Sequence, residues 1–203
     1  YIVSCLIKVK RKYKIRQLKK YYKVDTTFFV EQLKNNIDGK KTLILTVSFN
    51  NEKVIEKQIE LLSKFCKDEY IYLVADNSTI LEKSNKIEKI CHEGNVYYYR
   101  LPANNPFNNY DPSSSHGASL NYIWRNIISK LDNVDYIMML DHDIFPTSFF
   151  SVKEMLKNQS FYGLVKSRKL GWYLWPGFSC FSIKILKEIV VDFLPSIYGD
   201  TGS

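Results

Sequence analysis

Short apolar runs alternate with amphipathic stretches along most of this chain. Residues 42–49 and 70–75 have the length and β-branched content of buried strands, whereas residues 52–66 carry apolar side chains at helical spacing. Further strands are predicted at residues 95–101 and 136–140. Because helical stretches separate these strands, the pattern predicts an α/β fold with a mainly parallel sheet and right-handed crossovers.

The last third of the chain is patterned less regularly. It predicts a helix at residues 149–156, short strands at 163–166 and 178–183, and a helix at 185–193. Before it, residues 102–115 form a long loop rich in Asn, Pro and Ser, and loops of this length in compact domains are often functional. Ser114 or Ser115 is suited to cap the helix that follows this loop.

Two carboxylates follow the fourth predicted strand. If the strand continues, Asp141 and Asp143 project to one side and His142 to the other. Two neighbouring carboxylates repel unless a cation lies between them, and Mg²⁺ or Mn²⁺ bound with substrate phosphate oxygens fits such a pair. The alternative is a strand end whose acids cap the following turn, assisted by Pro146.

Other strand ends also carry polar groups. Ser48, Asn50 and Glu52 follow the first strand, and Asp76 and Asn77 follow the second. Open α/β sheets bind ligands beyond the carboxyl ends of their strands, so these groups are candidates to contact a nucleotide. Asp76 could accept a hydrogen bond from a base N–H or a ribose hydroxyl, or it could form a helix cap or an Asx turn.

The charge of the chain is concentrated near its start. The net charge of +8 suggests a nucleic-acid partner, but residues 1–41 contain 12 Lys/Arg and 3 Asp/Glu, whereas residues 42–203 contain 17 and 18. Residues 8–24 predict a basic amphipathic helix, which could pack on the domain or contact anionic lipid. The absence of a nucleic-acid recognition motif beside this charge argues against a nucleic-acid partner. We therefore expect a basic arm at residues 1–40 and a globular domain at 41–203.

The cysteines indicate a reducing environment. Cys5, Cys66, Cys91 and Cys180 are widely spaced without a C-x-x-C pair, which favours free thiols over a zinc site or a disulfide framework. This predicts a cytoplasmic protein, with peripheral contact at a membrane surface as a further option. No apolar run reaches the length of a transmembrane helix. Because the chain starts without Met and stops at Ser203, it could be a piece of a longer protein.

Four motifs together resemble the family 2 glycosyltransferases, which have the GT-A fold. The resemblance covers about residues 41–203 and leaves the basic arm unaccounted for. The motifs follow one another in the family's order, each at the predicted end of an element: Thr46-Val47-Ser48-Phe49-Asn50-Asn51-Glu52, Val74-Ala75-Asp76-Asn77-Ser78, His116-Gly117-Ala118-Ser119-Leu120-Asn121 and Leu140-Asp141-His142-Asp143.

The resemblance implies a donor site that binds a nucleotide-diphospho-sugar, with a UDP-sugar favoured. It implies that Asp76 contacts the nucleoside base, with Asn77 and Ser48 nearby. It also implies that Asp141 touches ribose or metal, and that Asp143 binds the Mn²⁺ or Mg²⁺ that bridges the diphosphate.

The third motif and the segment after residue 170 extend this implied site. Gly117 lies where a small residue lets a helix approach the nucleotide-sugar, and His116 is either a substrate contact or an exposed loop residue. Residues 171–178 resemble the segment that covers the donor and meets the acceptor. Trp172 and Trp175 could stack on a sugar ring, with Gly177 allowing close approach, or they could be core or lid residues.

Asp200 lies where similar enzymes place an acid after the acceptor strand. In an inverting transferase such an acid removes the proton of the attacking hydroxyl. The chain departs here from the commoner Glu-Asp pair and ends soon afterwards, so a terminal turn is the alternative for Asp200.

The sequence therefore predicts a metal-dependent, inverting, hexosyltransferase-like enzyme that acts on a glycan, lipid or protein hydroxyl. A nucleotidyltransferase on a related sheet is one alternative, but such enzymes are expected to carry a Gly-rich, basic loop where this chain has Ser48-Phe49-Asn50-Asn51-Glu52. A non-catalytic domain that binds a nucleotide-sugar and is tethered by its basic arm is another.

Overall fold

Six strands form one mixed sheet. The computed structural model describes residues 2–37, 41–168, 171–195 and 201. In chain order the strands are β1 (Thr42–Ser48), β2 (Tyr70–Asp76), β3 (Tyr97–Arg100), β4 (Tyr136–Leu140), β5 (Phe161–Arg168) and β6 (Gly171–Ser182). Their order across the sheet is β3-β2-β1-β4-β6-β5.

The four strands at one side of this sheet are parallel. β1 lies at their centre, pairs with β2 and β4, and brings Ser48 opposite Asp76. β3 extends the parallel part beyond β2, while β6 and β5 add an antiparallel pair beside β4. The predicted mainly parallel α/β sheet is confirmed, and its carboxyl ends meet at one edge.

Helices cover both faces of the sheet. They are α1 (Ile2–Tyr21), α2 (Thr27–Asn36), α3 (Glu52–Phe65), α4 (Leu81–Glu93), α5 (Pro112–Asn126), α6 (Val152–Met155) and α7 (Ile183–Glu188), with a 3₁₀ turn at Ile128–Lys130. Successive side chains of a strand point to opposite faces, so β1 supplies Leu43 and Leu45 to a core with α5 and Ile44 to a second core with α3. The sheet is therefore buried on both sides.

The N-terminal helices share the first of these cores. Leu18 and Tyr21 of α1 and Val30 and Leu33 of α2 are buried in the same cluster as β1 and α5. The helix predicted within residues 8–24 is present as part of α1, whereas α2 was not predicted. The boundary at residue 40 and the lipid contact stay predictions. None of the helices in the described ranges combines the length and the apolar character that a membrane crossing requires.

The helix α5 begins earlier than the sequence predicted. Its cap is Asp111, whose carboxylate accepts hydrogen bonds from the Ser114 backbone N–H (3.2 Å) and the Ser114 hydroxyl (2.6 Å), and Pro112 occupies the first turn. The prediction of Ser114 or Ser115 as the cap was wrong, because Asp111 supplies the acceptor and proline needs no partner for a backbone N–H at this position. As a result His116 lies inside the helix.

The C-terminal third differs most from its prediction. β6 takes in the whole of residues 171–182, including the aromatic segment predicted to be a cover, and pairs with β4 and β5. The final helix ends at Glu188 and does not reach residue 193. Tertiary pairing accounts for the longer strand, since local aromatic and glycine content gives little periodicity to detect.

We expect the N-terminal helices to contribute to the stability of the whole domain. Leu33 is fully buried and Phe28, in the same helix, is 85% exposed. Leu33→Ala should lower the free energy of unfolding by about 3 kcal/mol because it leaves a cavity. Phe28→Ala should change it by less than about 0.5 kcal/mol. Urea unfolding followed by circular dichroism checks both, and equal effects would contradict a shared core.

Candidate functional site

A cavity of about 420 Å³ opens at the carboxyl ends of β1, β2 and β4. Five of the predicted site residues line it, contributed by four different parts of the fold: Asn77, His116, Asp141, Asp143 and Trp175. Its other lining residues come from the end of β1, the loop before α5, the first turn of α5, the turn after β4 and Thr201: Val47, Phe49, Asn108, Pro112, Ser113, Ser115, His142 and Thr201.

The two acids lie on a turn and not on a continued strand. β4 stops at Leu140, and the Ile144 N–H donates to the Asp141 carbonyl oxygen at 3.0 Å. Asp141 is partly buried and Asp143 is exposed, and both face the cavity. The prediction that His142 points away was wrong, because strand alternation ends with the strand. His142 lines the same cavity, with Nδ1 3.3 Å from the Val47 carbonyl oxygen.

A histidine lies beside the first acid. The His116 Nε2 atom is 3.4 Å from Oδ1 of Asp141, and each of the two side chains is 24% exposed. The partly exposed position inside α5 rules out the alternative of an exposed loop residue for His116. The two side chains are therefore close enough to interact electrostatically.

The cavity offers a divalent cation a limited set of ligands. Within the described residues, no group of three His, Cys, Asp or Glu side chains is arranged to bind a metal. Mg²⁺ is usually held by one or two carboxylates together with substrate phosphates and water, rather than by an all-protein cage. Asp141 and Asp143 on the cavity wall match that donor set, so the residues present fit such an ion.

The carboxylate of Asp76 is fully buried and does not line the cavity. Burial opposes its ionisation, but hydrogen bonds from Ser78, Ser84 and Tyr98 outweigh that penalty and lower the pKa of the carboxyl. Six donor atoms surround its two oxygens, more than the roughly four lone-pair positions a carboxylate has. They are Ser48 Oγ, Ser78 N, Ser78 Oγ, Ser84 Oγ, Tyr98 OH and Arg100 Nη1.

Its neighbour Asn77, unlike Asp76, forms part of the cavity wall. This side chain is 5% exposed and lines the cavity. Nδ2 donates to Asn108 Oδ1 at 3.0 Å and to Ser115 Oγ at 2.9 Å, which uses both amide hydrogens. Oδ1 is buried and accepts no hydrogen bond from any residue the structure describes. This cavity-lining residue therefore has a buried neutral acceptor that no described residue fills, and leaving such an acceptor unpaired is costly.

The other residues predicted after β1 connect loops. Asn50, at φ 51°, accepts from the backbone N–H groups of Thr79 and Ile80, each at 3.0 Å, which joins the loops after β1 and β2. Glu52 forms an ion pair with Lys83 at 2.8 Å. Neither residue lines the cavity, and these contacts account for both without a ligand.

Gly117 is required by the packing of the chain on itself. A Cβ atom at this position would lie 2.3 Å from the carbonyl oxygen of Phe193, because the segment after α7 crosses α5 here. Asn121, one turn further along, accepts from the Phe193 N–H at 3.0 Å and donates to Asp192. This crossing explains the small residue, and Gly117 does not line the cavity. Its approach to a nucleotide-sugar stays a prediction.

The predicted tryptophans lie in different places. Trp175 lines the cavity, and Lys166 lies over its ring at 5.3 Å. A Cβ atom on Gly177 would lie 2.3 Å from that ring, so glycine lets the indole pack across the strand. Trp172 is 60% exposed and lines a separate groove with Phe161 and the segment after α7. The structure does not bring Trp172 to the acids.

The candidate base Asp200 lies outside the described residues. Thr201, which follows it, is buried, lines the cavity and donates to the Ser113 carbonyl oxygen at 2.8 Å. Sequence reasoning missed the individual residues of the long loop, although it marked the loop as functional. Asn108 and Ser113 come from that loop, and no local pattern distinguishes them from their neighbours.

Comparisons with known proteins identify the fold. No protein-family model and no curated protein matches the chain. Several solved structures match the chain. The mannosyltransferase Ktr4p from S. cerevisiae matches with a TM-score of 0.50 and 13% identity, over 89% of this chain and 66% of that one.

Two further solved structures are similar over shorter shares of their own length. Glucosyl-3-phosphoglycerate synthase from Mycobacterium tuberculosis, in complex with UDP, matches with a TM-score of 0.47 and 16% identity, over 77% of this chain and 62% of that one. The mannosyltransferase PcManGT from Pyrobaculum calidifontis, in complex with GDP-Man and Mn²⁺, matches with a TM-score of 0.49 and 11% identity, over 92% of this chain and 56% of that one. The chain thus spans 56 to 66% of these three proteins. Its sheet topology and its likeness to Ktr4p show that it has the GT-A fold of glycosyltransferases.

Proposed function

We propose that this chain is a glycosyltransferase that moves a sugar from a nucleotide-diphospho-sugar to an acceptor hydroxyl, with Mn²⁺ or Mg²⁺. The observation that carries this proposal is the cavity at the carboxyl edge of the sheet, where Asp141, Asp143 and Asn77 lie together. Ligands of open α/β sheets bind at such an edge, and a pair of carboxylates there suits a cation bound to a diphosphate.

Each part of the cavity has a distinct role in this proposal. Asp141 and Asp143 hold the cation, which when bound would neutralise charge on the departing nucleoside diphosphate. Trp175 offers a ring face to the sugar, and the surrounding walls orient the donor against the incoming hydroxyl. His116 stays beside Asp141 and orients its carboxylate.

The finer assignments belong to the proposal as well. We favour a UDP-linked hexose as donor, a glycan, lipid or protein hydroxyl as acceptor, and inversion with Asp200 as the base. A cytoplasmic enzyme that touches a membrane surface through residues 8–24 remains part of this proposal. Exposed cations on α1 are compatible with that contact: Lys12, Arg16, Lys19 and Lys20.

We assign the contact with the nucleobase to Asn77 and not to Asp76. The Asp76 carboxylate already faces six donors and has no exposed surface. Asn77 lines the cavity, and its buried Oδ1 accepts no hydrogen bond from the described residues. A ring N–H of uracil or guanine would fill that acceptor.

The rival enzyme class is less well supported by the loop after β1. A nucleotidyltransferase is expected to hold phosphates there with glycine and basic side chains. Here Asn50 is engaged with Thr79 and Ile80, and Glu52 with Lys83. The other alternative is a domain that binds a nucleotide-sugar without turnover. The effect of Mn²⁺ on donor binding distinguishes it from the proposed enzyme.

Metal-dependent donor binding should require Asp143. We expect UDP-sugars to raise the melting temperature in the presence of Mn²⁺, more than GDP- or CMP-linked sugars do. Asp143→Ala should weaken Mn²⁺-dependent binding at least about 100-fold in calorimetry, since one of two protein ligands is lost. The control Asp135→Ala removes an exposed acid at the opposite end of β4 and should have no effect. Donor binding that ignores Mn²⁺ would favour the non-catalytic alternative.

We expect Asp76 to contribute to the stability of the fold and not to donor binding. The pKa of the Asp76 carboxyl is lower in the folded protein than in the unfolded chain. The ionised carboxylate therefore stabilises the fold at pH values above the ordinary pKa of an aspartate, and this contribution is lost as the pH falls through the folded pKa. Asp76→Asn should lower the free energy of unfolding by about 2 kcal/mol at pH 7. It should also flatten the acid side of the stability curve. Unchanged stability at pH 7, measured by urea unfolding, would contradict a structural role.

We expect Asn77 to contribute to binding of the nucleotide. Asn77→Ala should weaken UDP binding about tenfold, as expected for one lost hydrogen bond with its unpaired partner. Methylation of uracil N3 removes the donor, so wild type should bind 3-methyl-UDP less well than UDP, whereas Asn77→Ala should bind the two alike. For a guanine donor, 1-methyl-GDP and GDP make the same comparison. If wild type and variant discriminate equally, Asn77 does not contact the base.

A further inference from the structure

The turn that carries the two acids is tied to α3 by one buried amide. Gln58 is fully buried, and its Nε2 atom donates to the carbonyl oxygens of Asp141 at 2.9 Å and Ile144 at 2.8 Å. These are the first and last residues of the turn that contains Asp143. A single side chain therefore contacts the backbone at both ends of this turn.

The other end of the amide fixes its orientation. Gln58 Oε1 accepts from Thr46 Oγ1 at 3.0 Å and from the Tyr72 hydroxyl. Carbonyl oxygens accept and cannot donate, so the NH₂ group must face the turn and the oxygen must face the two hydroxyls. Both N–H donors and both acceptor positions of the amide then form hydrogen bonds. If the amide were flipped, its oxygen would face two carbonyl oxygens and these hydrogen bonds would be lost.

Two backbone hydrogen bonds complete the support of the turn. The Asp141 N–H donates to the Gly177 carbonyl oxygen of β6 at 3.0 Å, and the Ile144 N–H donates to the Asp141 carbonyl oxygen at 3.0 Å. Neither bond uses the Ile144 carbonyl. Without Gln58, the Asp141 carbonyl would keep the Ile144 N–H, but the Ile144 carbonyl would lose its Gln58 donor, at about 1–3 kcal/mol unless the turn rotated toward water.

Glutamine is an unexpected residue at this position of the helix. The buried stripe of α3 otherwise carries Ile55 and Leu62, and an apolar residue would continue it. A buried amide is unfavourable unless it is fully hydrogen-bonded. Among polar residues, an amide supplies two donors without charge, whereas Lys or Arg would place a positive charge beside a cation site.

We propose that Gln58 is a positioning residue that fixes the orientation of the turn and with it the arrangement of Asp141 and Asp143 toward a divalent cation. The inference rests on the proposed function for the identity of the ligand. The hydrogen bonds that carry it are independent of that function.

The test compares two variants of the same buried network. Gln58→Met removes the donors to the turn, whereas Tyr72→Phe removes one donor to Gln58 Oε1 and leaves both bonds to the turn in place. With UDP present, Mn²⁺ affinity measured by electron paramagnetic resonance should fall about tenfold in Gln58→Met. It should stay within about twofold of wild type in Tyr72→Phe. Equal losses in the two variants would overturn the proposal.

A second measurement does not depend on any ligand. Hydrogen exchange of a peptide covering residues 140–146 should be faster in Gln58→Met than in Tyr72→Phe, because the Ile144 N–H is protected by the turn. If wild type binds neither Mn²⁺ nor nucleotide, the proposed function fails, and the exchange comparison still decides whether Gln58 holds the turn. Equal exchange would overturn the positioning role. Should Gln58→Met not fold, Gln58→Leu, which continues the buried stripe of Ile55 and Leu62, carries the same comparison.

Discussion

The parallel pairing of β1 with β2 and β4 is the constraint on which the candidate site depends. In this register Ser48 lies opposite Asp76, and β4 ends beside them just before Asp141. Parallel strands present all their carboxyl ends at one edge, so residues far apart in the sequence meet there. The cavity exists because three strands end together and Asn108 and the first turn of α5 lie beside them.

Charge is distributed unevenly across that edge. The buried negative charge of Asp76 is matched by Arg100 and by hydroxyl donors, and burial without such partners would be costly. This carboxylate therefore holds the ends of β1, β2 and β3 together. The cavity wall next to it is a neutral amide, and the acids that remain open to the cavity are on the turn after β4.

The sequence predicts the sheet better than it predicts the site. Strand ends are local features, so the ends of β1, β2 and β4 could be located from apolar runs to within one residue. What each side chain contacts depends on partners such as Ser84, Tyr98 and Arg100, which no spacing reveals. For this reason Asp76 was predicted on the cavity wall, whereas the structure places it behind that wall. His142 was predicted to point away because the strand was assumed to continue.

The turn after β4 carries two acids on a backbone that is held at both ends, and neighbouring like charges repel. Its backbone is held by Gln58 on one side and by Gly177 on the other, so the two acids cannot separate by a shift of the main chain. Rotation of side chains into water relieves part of the repulsion, and Asp143 is exposed enough to do so. A cation would relieve the rest without moving the backbone. A held turn therefore favours cation binding, because its backbone is already in place before the ion arrives and little has to be rearranged.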